Sequence, residues 1–165
     1  MNAENFSPTE RLGEDLLLRP ADFPDLDPIM DVEQLSQPAP WTRRVFEKEL
    51  ELEFSRTWVV SSQSTDLPPV CAFLVFWLVH DEIHILNICV HPEVRRRGIA
   101  RQLIERLAEL GEEQRASIIS LEVRASNAAA KELYGSMGFV PIGTRPKYYA
   151  DNHEDADILV LLLEE

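Results

Sequence analysis

Apolar and polar positions along this chain follow two different periods, and each change of period marks an element. Leu16-Leu17-Leu18 before Arg19-Pro20 reads as a first strand ended by proline. Asp27 followed by Pro28 reads as a helix start, with the cap at Asp27 and the proline in the first helical position. That helix runs to about Leu35, and Gln37-Pro38-Ala39-Pro40 forms a loop. Thr42 caps a second helix that carries Phe46 and Leu50 four residues apart. Phe54 to Ser61 and Val70 to His80 are rich in β-branched and aromatic residues. Asp81-Glu82 then suits a hairpin turn into a strand from Ile83 to Val90.

After His91-Pro92 the period lengthens. Leu103 and Leu107, with Ala100, Ile104 and Ala108, recur at helical spacing from Ile99 onward, and Gly111 is expected to stop that helix. Ile118 to Val123 is a short apolar strand interrupted by Glu122. Ser126 or Asn127 caps a helix through Ala128-Ala129-Ala130 to Met137, ended by Gly138. Phe139 to Ile142 and Ala156 to Leu163 are the last strands. The order β-α-α-β-β-β-α-β-α-β-β predicts an α/β fold of the α+β type, a mixed and largely antiparallel twisted sheet flanked by helices. Residues 1–14 are polar and aperiodic and read as a flexible extension, leaving 15–165 as one domain.

Charge narrows the partners. Sixteen Lys and Arg face 29 Asp and Glu, a formal net charge of −13, which repels nucleic acid and anionic lipid and attracts basic partners. Cys71 and Cys89 both lie in apolar runs, a pattern that fits reduced thiols in a cytoplasmic protein. The opening MNAENFSPTE has neither the basic nor the apolar region of a signal peptide, and Val70 to Val79 is too short to span a bilayer.

The strongest local signal is Val94-Arg95-Arg96-Arg97-Gly98-Ile99-Ala100-Arg101, between a β-rich run and an amphipathic helix. A strand-turn-helix junction leaves the first helical N–H groups unpaired, with the positive end of the helix dipole behind them. A pyrophosphate satisfies such a site, and the small Gly98 and Ala100 let it approach the backbone. By itself the run also fits a basic solvated turn. The six glycines never form G-x-G-x-x-G, and Gly138 to Gly143 is followed by Thr144-Arg145 instead of Lys-Ser/Thr.

The run Arg95-x-x-Gly98-x-Ala100 resembles the acetyl-CoA signature of the GNAT superfamily of N-acetyltransferases. Asn87-Ile88-Cys89-Val90-His91-Pro92 resembles the strand before that signature. Leu121-Glu122-Val123-Arg124-Ala125-Ser126-Asn127-Ala128-Ala129-Ala130, then Leu133-Tyr134 and Gly138-Phe139, is similar to the RimI group, the bacterial ribosomal-protein N-terminal alanine acetyltransferases. Arg145, Tyr148-Tyr149, Glu154-Asp155-Ala156 and Trp41-Thr42 with Phe46 extend the similarity, which is dense from Asn87 onward and thin before Trp41. Ala100 stands where glycine is common.

The resemblance implies acetyl-CoA as co-substrate, no metal, and the N-terminal amine of a basic ribosomal protein as acceptor. It implies that Arg95, Arg96, Arg97, Gly98, Ile99, Ala100 and Arg101 cradle the pyrophosphate, and that Asn127 touches the cofactor. The backbone of Ile88, Cys89 and Val90 pairs with the pantetheine arm in that picture. Glu122 is the implied general base and Tyr134 the general acid, also lining the cofactor. From position alone, Glu122 equally suits a solvent-facing strand residue or an ion pair with Arg124 or Lys131. Burial is expected to raise its pKa and strengthen it as a base. Tyr134 equally suits a core tyrosine. Trp41, Tyr148 and Tyr149 are placed around the acceptor, with packing as their other role. Cys89 as a nucleophile needs a neighbouring base, and His91 would share its strand face only if the strand continued past Pro92. His80 and His84 flank the hairpin without any metal-ligand spacing. The rival readings are a GNAT enzyme acting on a lysine side chain or small amine, and a non-catalytic acyl-CoA sensor.

Overall fold

The structure, a computed structural model, describes residues 9–163. Its strands are β1 (Glu10–Arg11), β2 (Leu16–Pro20), β3 (Ser55–Ser62), β4 (Val70–Val79), β5 (Glu82–Val90), β6 (Ile118–Arg124), β7 (Val140–Arg145) and β8 (Ala156–Leu162). Its helices are α1 (Leu26–Ser36), α2 (Arg43–Glu51), α3 (Ile99–Glu113) and α4 (Ala128–Ser136). Among the described residues the sheet order is β1-β2-β3-β4-β5-β6-β8-β7. β5 pairs with β6 in parallel, while β1–β2, β2–β3, β3–β4, β6–β8 and β7–β8 are antiparallel. From β2 onward the element order is the expected one. Glu10 and Arg11 correct the extension at its described end, since they pair with Leu18 and Leu17 as β1. A two-residue strand with exposed side chains is made by backbone pairing, so it leaves no apolar pattern to read. Residues 1–8 of that extension lie outside the described residues.

The chain divides into two units, with β5 and α3 each contributing to both. The first holds residues up to Trp77 together with Asn87–Arg106. Its core strand is β4, buried on both faces from Val70 to Phe76, which is why that stretch reads as an unbroken apolar run instead of an alternating one. Trp58 of β3 meets Phe76 edge-on at 4.9 Å, and Phe46 of α2 meets Phe73 at 5.5 Å. The start of α1 differs from expectation. A short 3-10 turn, Phe23–Asp25, precedes it, and Asp22 accepts the Phe23 N–H at 2.7 Å. Asp25 accepts the Asp22 N–H at 2.8 Å and two guanidinium bonds from Arg19, each at 2.7 Å. Pro28 therefore sits third in the helix, still inside the first turn where its missing N–H removes no intrahelical bond.

The second unit comprises Leu78–Leu86 and the residues from Leu107 onward. The hairpin turn falls at His80–Asp81, one residue earlier than expected, with His80 in the left-handed region at φ 54°. Along β5 and β6 burial alternates: Ile83, Ile85, Ile119, Leu121 and Val123 face the core, leaving His84, Ser120 and Glu122 on the half-covered side. Gly111 does not stop α3. A side chain there would meet the Leu163 methyl at 2.4 Å and that of Ile83 at 3.3 Å, so the glycine serves close packing inside the helix. Arg115, at φ 58°, makes the left-handed exit, and the Ala116 N–H closes on the Gly111 carbonyl at 2.8 Å. Gly138, at φ 95°, does end α4, with the Phe139 N–H reaching the Tyr134 carbonyl at 3.1 Å.

Candidate active site

In the first unit, β5 ends at Val90 and the chain turns through Pro92–Val94, where His91 Nδ1 accepts the Glu93 N–H at 3.2 Å. Val94 and Ile99 are buried and pin the two ends of the exposed stretch Arg95–Gly98. Arg95 is tied down: Nε donates to the Val90 carbonyl and a terminal nitrogen to Ser36 Oγ, both at 3.1 Å. Gly98 has φ 76°, and a side chain at that position would meet nothing within 4 Å. The first bond of α3 is donated by Gln102 to the Gly98 carbonyl at 3.0 Å, so the N–H groups of Ile99, Ala100 and Arg101 lie ahead of the helical ladder. Open space over a left-handed glycine, a helix N-terminus and flanking arginines fit a pyrophosphate. The sequence anticipated the turn but not its left-handed backbone at Arg96, φ 61°, and Gly98.

Behind β5 lies a buried polar cluster that sequence reasoning missed. Glu33 of α1 is fully buried; its carboxylate accepts the Trp41 N–H at 3.0 Å and the Asn87 side-chain amide at 2.9 Å. Gln37 donates to Asn87 Oδ1 and to Cys89 Sγ, both at 3.1 Å. Burial, reinforced by the Glu33 carboxylate, pushes the Cys89 thiol well above its usual range, the opposite of an activated nucleophile. Ile88 and Val90, on the other face of the strand, are half-buried. The readable signal was Glu33 itself, on the face of α1 that also carries the buried Ile29 and Val32. Trp41, anchored by that bond, stacks at a tilt on Phe46 with ring centres 5.2 Å apart.

In the second unit the register of β5 against β6 sets His84 beside Ser120. His84 Nε2 lies 2.9 Å from Glu122 Oε2, and Nδ1 lies 2.9 Å from Ser120 Oγ. Arg145 of β7 donates Nε to Glu122 Oε1 at 3.2 Å. The Glu122 side chain is only 11% exposed. Its expected partners are engaged elsewhere: Arg124 with Asp151 at 3.0 Å, and Lys131 with Asp157 at 3.1 Å. The expected rise in its pKa is also corrected. The His84 hydrogen bond holds the carboxyl below the ordinary value, against burial, and Arg145 adds to the lowering. Two donors converge on one carboxylate, which strand position alone does not reveal.

Tyr134 is buried on α4, its ring 5.4 Å from that of Phe139. Asn127 is the cap, Oδ1 accepting the Ala130 N–H at 3.1 Å. Tyr148 is exposed and Tyr149 half-buried, with rings 5.1 Å apart and edge-on. The Arg124 guanidinium stacks 3.9 Å from the centre of the Tyr149 ring. Burial pushes the Tyr149 phenol up to about 12, with Arg124 working the other way. Arg124 thus ties this loop to the end of β6 through Asp151, Glu154 and Tyr149 together.

Residues 26–139 match the model of the acetyltransferase (GNAT) family. The chain is 36% identical over 141 residues to a putative ribosomal protein bS18-alanine N-acetyltransferase of Bacillus subtilis, covering 86% of this chain and 91% of that one. It is 35% identical over 139 residues to the Escherichia coli ribosomal protein bS18-alanine N-acetyltransferase, covering 83% and 90%. A crystal structure of the Escherichia coli alanine N-acetyltransferase superposes with a TM-score of 0.82 at 32% identity, over 91% of this chain and 95% of that one. On these grounds the chain belongs to the GNAT family of acetyltransferases.

Proposed function

We propose that this acetyltransferase moves the acetyl group of acetyl-CoA to the N-terminal α-amine of a protein, a basic ribosomal protein beginning with alanine. Acetyl-CoA, when bound, supplies the acetyl group as a thioester. The Arg95–Arg101 turn holds its pyrophosphate, Asn127 touches it, and the Ile88–Val90 backbone pairs with its pantetheine arm. Glu122, nearly enclosed and held by two donors, is the observation that carries the reading. Its lowered pKa keeps it ionised at neutral pH. It orients the amine and takes the proton as the nitrogen gains its new bond and becomes acidic. An α-ammonium, with pKa about 8, would yield its proton to an ordinary carboxylate only uphill, by about 5 kcal/mol. Orientation and timing are therefore what Glu122 contributes. Tyr134 holds a phenolic proton for the departing thiolate.

Trp41, Tyr148 and Tyr149 surround the acceptor's first residues, and the net charge of −13 steers basic chains to it in the cytoplasm. The α-amine is easier to deprotonate than a lysine, whose pKa is about 10.4. The names of the relatives support the alanine N-terminus. The test offers three acceptors: an Ala-starting basic peptide, the same peptide with a blocked N-terminus and free lysines, and spermidine. Acetylation of the first at its α-amine, with the second inert, is the expected result. Faster acetylation of the blocked peptide or of spermidine points instead to a lysine or small-amine enzyme. Binding of acetyl-CoA without transfer to any of them points to a sensor.

A further inference from the structure

We propose that His84 is a positioning residue that sets the base strength of Glu122 through its own charge; this rests on Glu122 being the base. The geometry allows His84 to change charge without moving. A serine hydroxyl donates or accepts by rotating. With the imidazole neutral, Ser120 donates its O–H to Nδ1 and Nε2–H donates to Glu122. With the imidazole protonated at Nδ1, that N–H donates to Ser120 Oγ and the bond from Nε2 to Glu122 persists. The 2.9 Å contacts on both sides of the ring hold in either state, so protonation alters the field on the carboxylate and leaves its place unchanged.

An imidazolium beside Glu122 compensates its charge, so the carboxylate draws the amine's proton far less strongly as the new bond forms. The neutral ring leaves the carboxylate available. The groups facing this pair come from several elements: Arg145 on β7, which holds the other carboxylate oxygen; Tyr148 and Tyr149, which sense its charge; Arg124 on β6, engaged by Asp151 and Glu154; and Glu82, two residues back on the same face of β5. None of these is an imidazole, so His84 is the member whose ordinary titration range lies between about pH 5 and 8. Two protons must therefore be lost on the acid side: one from the acceptor α-amine, near pH 8, and one from His84.

The experiment measures kcat/KM against pH for the full chain, His84→Gln and Glu122→Gln, with an Ala-starting peptide. Glutamine keeps an N–H donor for Glu122 but does not titrate. The wild type should rise with slope two at low pH, then slope one above a break in the imidazole range, and level off above the amine's value near pH 8; His84→Gln should rise with slope one up to the same plateau. A retained break in His84→Gln, or slope one all the way to the plateau in the wild type, overturns the proposal. If Glu122→Gln loses turnover while His84→Gln keeps the wild-type profile, the His84 proposal alone fails. If Glu122→Gln retains turnover, the base assignment itself fails. An NMR titration of the His84 ring in the wild-type chain gives a second reading that needs no variant to fold. Its midpoint should coincide with the break, and a midpoint elsewhere overturns the proposal.

Discussion

The turn at Arg95–Arg101 and the carboxylate at Glu122 are built in opposite ways. The turn is backbone: a left-handed glycine, the open N-terminus of α3 and two buried anchors, Val94 and Ile99. Its arginines add charge without setting the shape, apart from Arg95, which is tied to Val90 and Ser36. The Glu122 site is side chain on side chain, with His84 and Ser120 brought beside it by strand register and Arg145 reaching from β7. Backbone sites depend on φ and space, and side-chain sites on which chemical groups converge. The two should therefore fail differently when altered.

The largest expected effect separates chemistry from binding. Glu122→Gln and Tyr134→Phe should each lower kcat by about 10² to 10⁴, the range for acid-base groups, while acetyl-CoA affinity measured by calorimetry stays near wild type. Equal losses in kcat and affinity would break the division. Next is Gly98→Val, which places a β-branched residue at φ 76° and fills the open space above the turn. Acetyl-CoA at about 100 times its Kd stabilises by about 2.7 kcal/mol, about 5–10 °C in Tm for a domain of this size. Gly98→Val should erase that shift; an unchanged shift in a folded variant would show that the backbone is not the ligand-binding feature.

Arg145→Ala should act more gently, because its side chain is 54% exposed and the pair is screened. A fall of about two- to fivefold in kcat/KM, shrinking at high salt, is expected from steady-state assays. The smallest effect is a pH dependence of stability. The folded pKa of Glu122 is lowered, so its pairing stabilises the fold above the unfolded carboxyl value and that contribution is lost as pH falls through the folded value. The Tm gap between wild type and Glu122→Gln should be about 2 °C near pH 6 and shrink as pH falls below the ordinary carboxyl value. Gly98→Ala, which removes no titrating group, should show no such closing.

Two glycines show where reading from sequence succeeds. Both Gly111 and Gly138 were expected to end helices. Gly138 does, because a left-handed exit is a local backbone demand that only the neighbouring residues need to satisfy. Gly111 does not, because Leu163 lies against it, 52 positions further along the chain. Asn127 is a cap as expected, and Thr42 occupies its cap position without a side-chain bond. The first helix does not start from a cap at Asp27, because Asp22 and Asp25 close a 3-10 turn ahead of it through their own hydrogen bonds.

What the sequence determined alone was whatever depends on period, cap and turn: the order of elements from β2 to β8, the buried run of β4, the glycine turn before α3 and the placing of Glu122 and Tyr134 on consecutive elements. The tertiary structure decided what those residues are next to. His84 gives no sign in the chain of meeting Glu122, since the pairing of β5 with β6 aligns residues some 36 positions apart. Glu33 gives none of reaching Asn87. The electrostatics of a carboxylate is set by neighbours within a few ångströms, and those neighbours are chosen by the register of strands and not by distance along the chain.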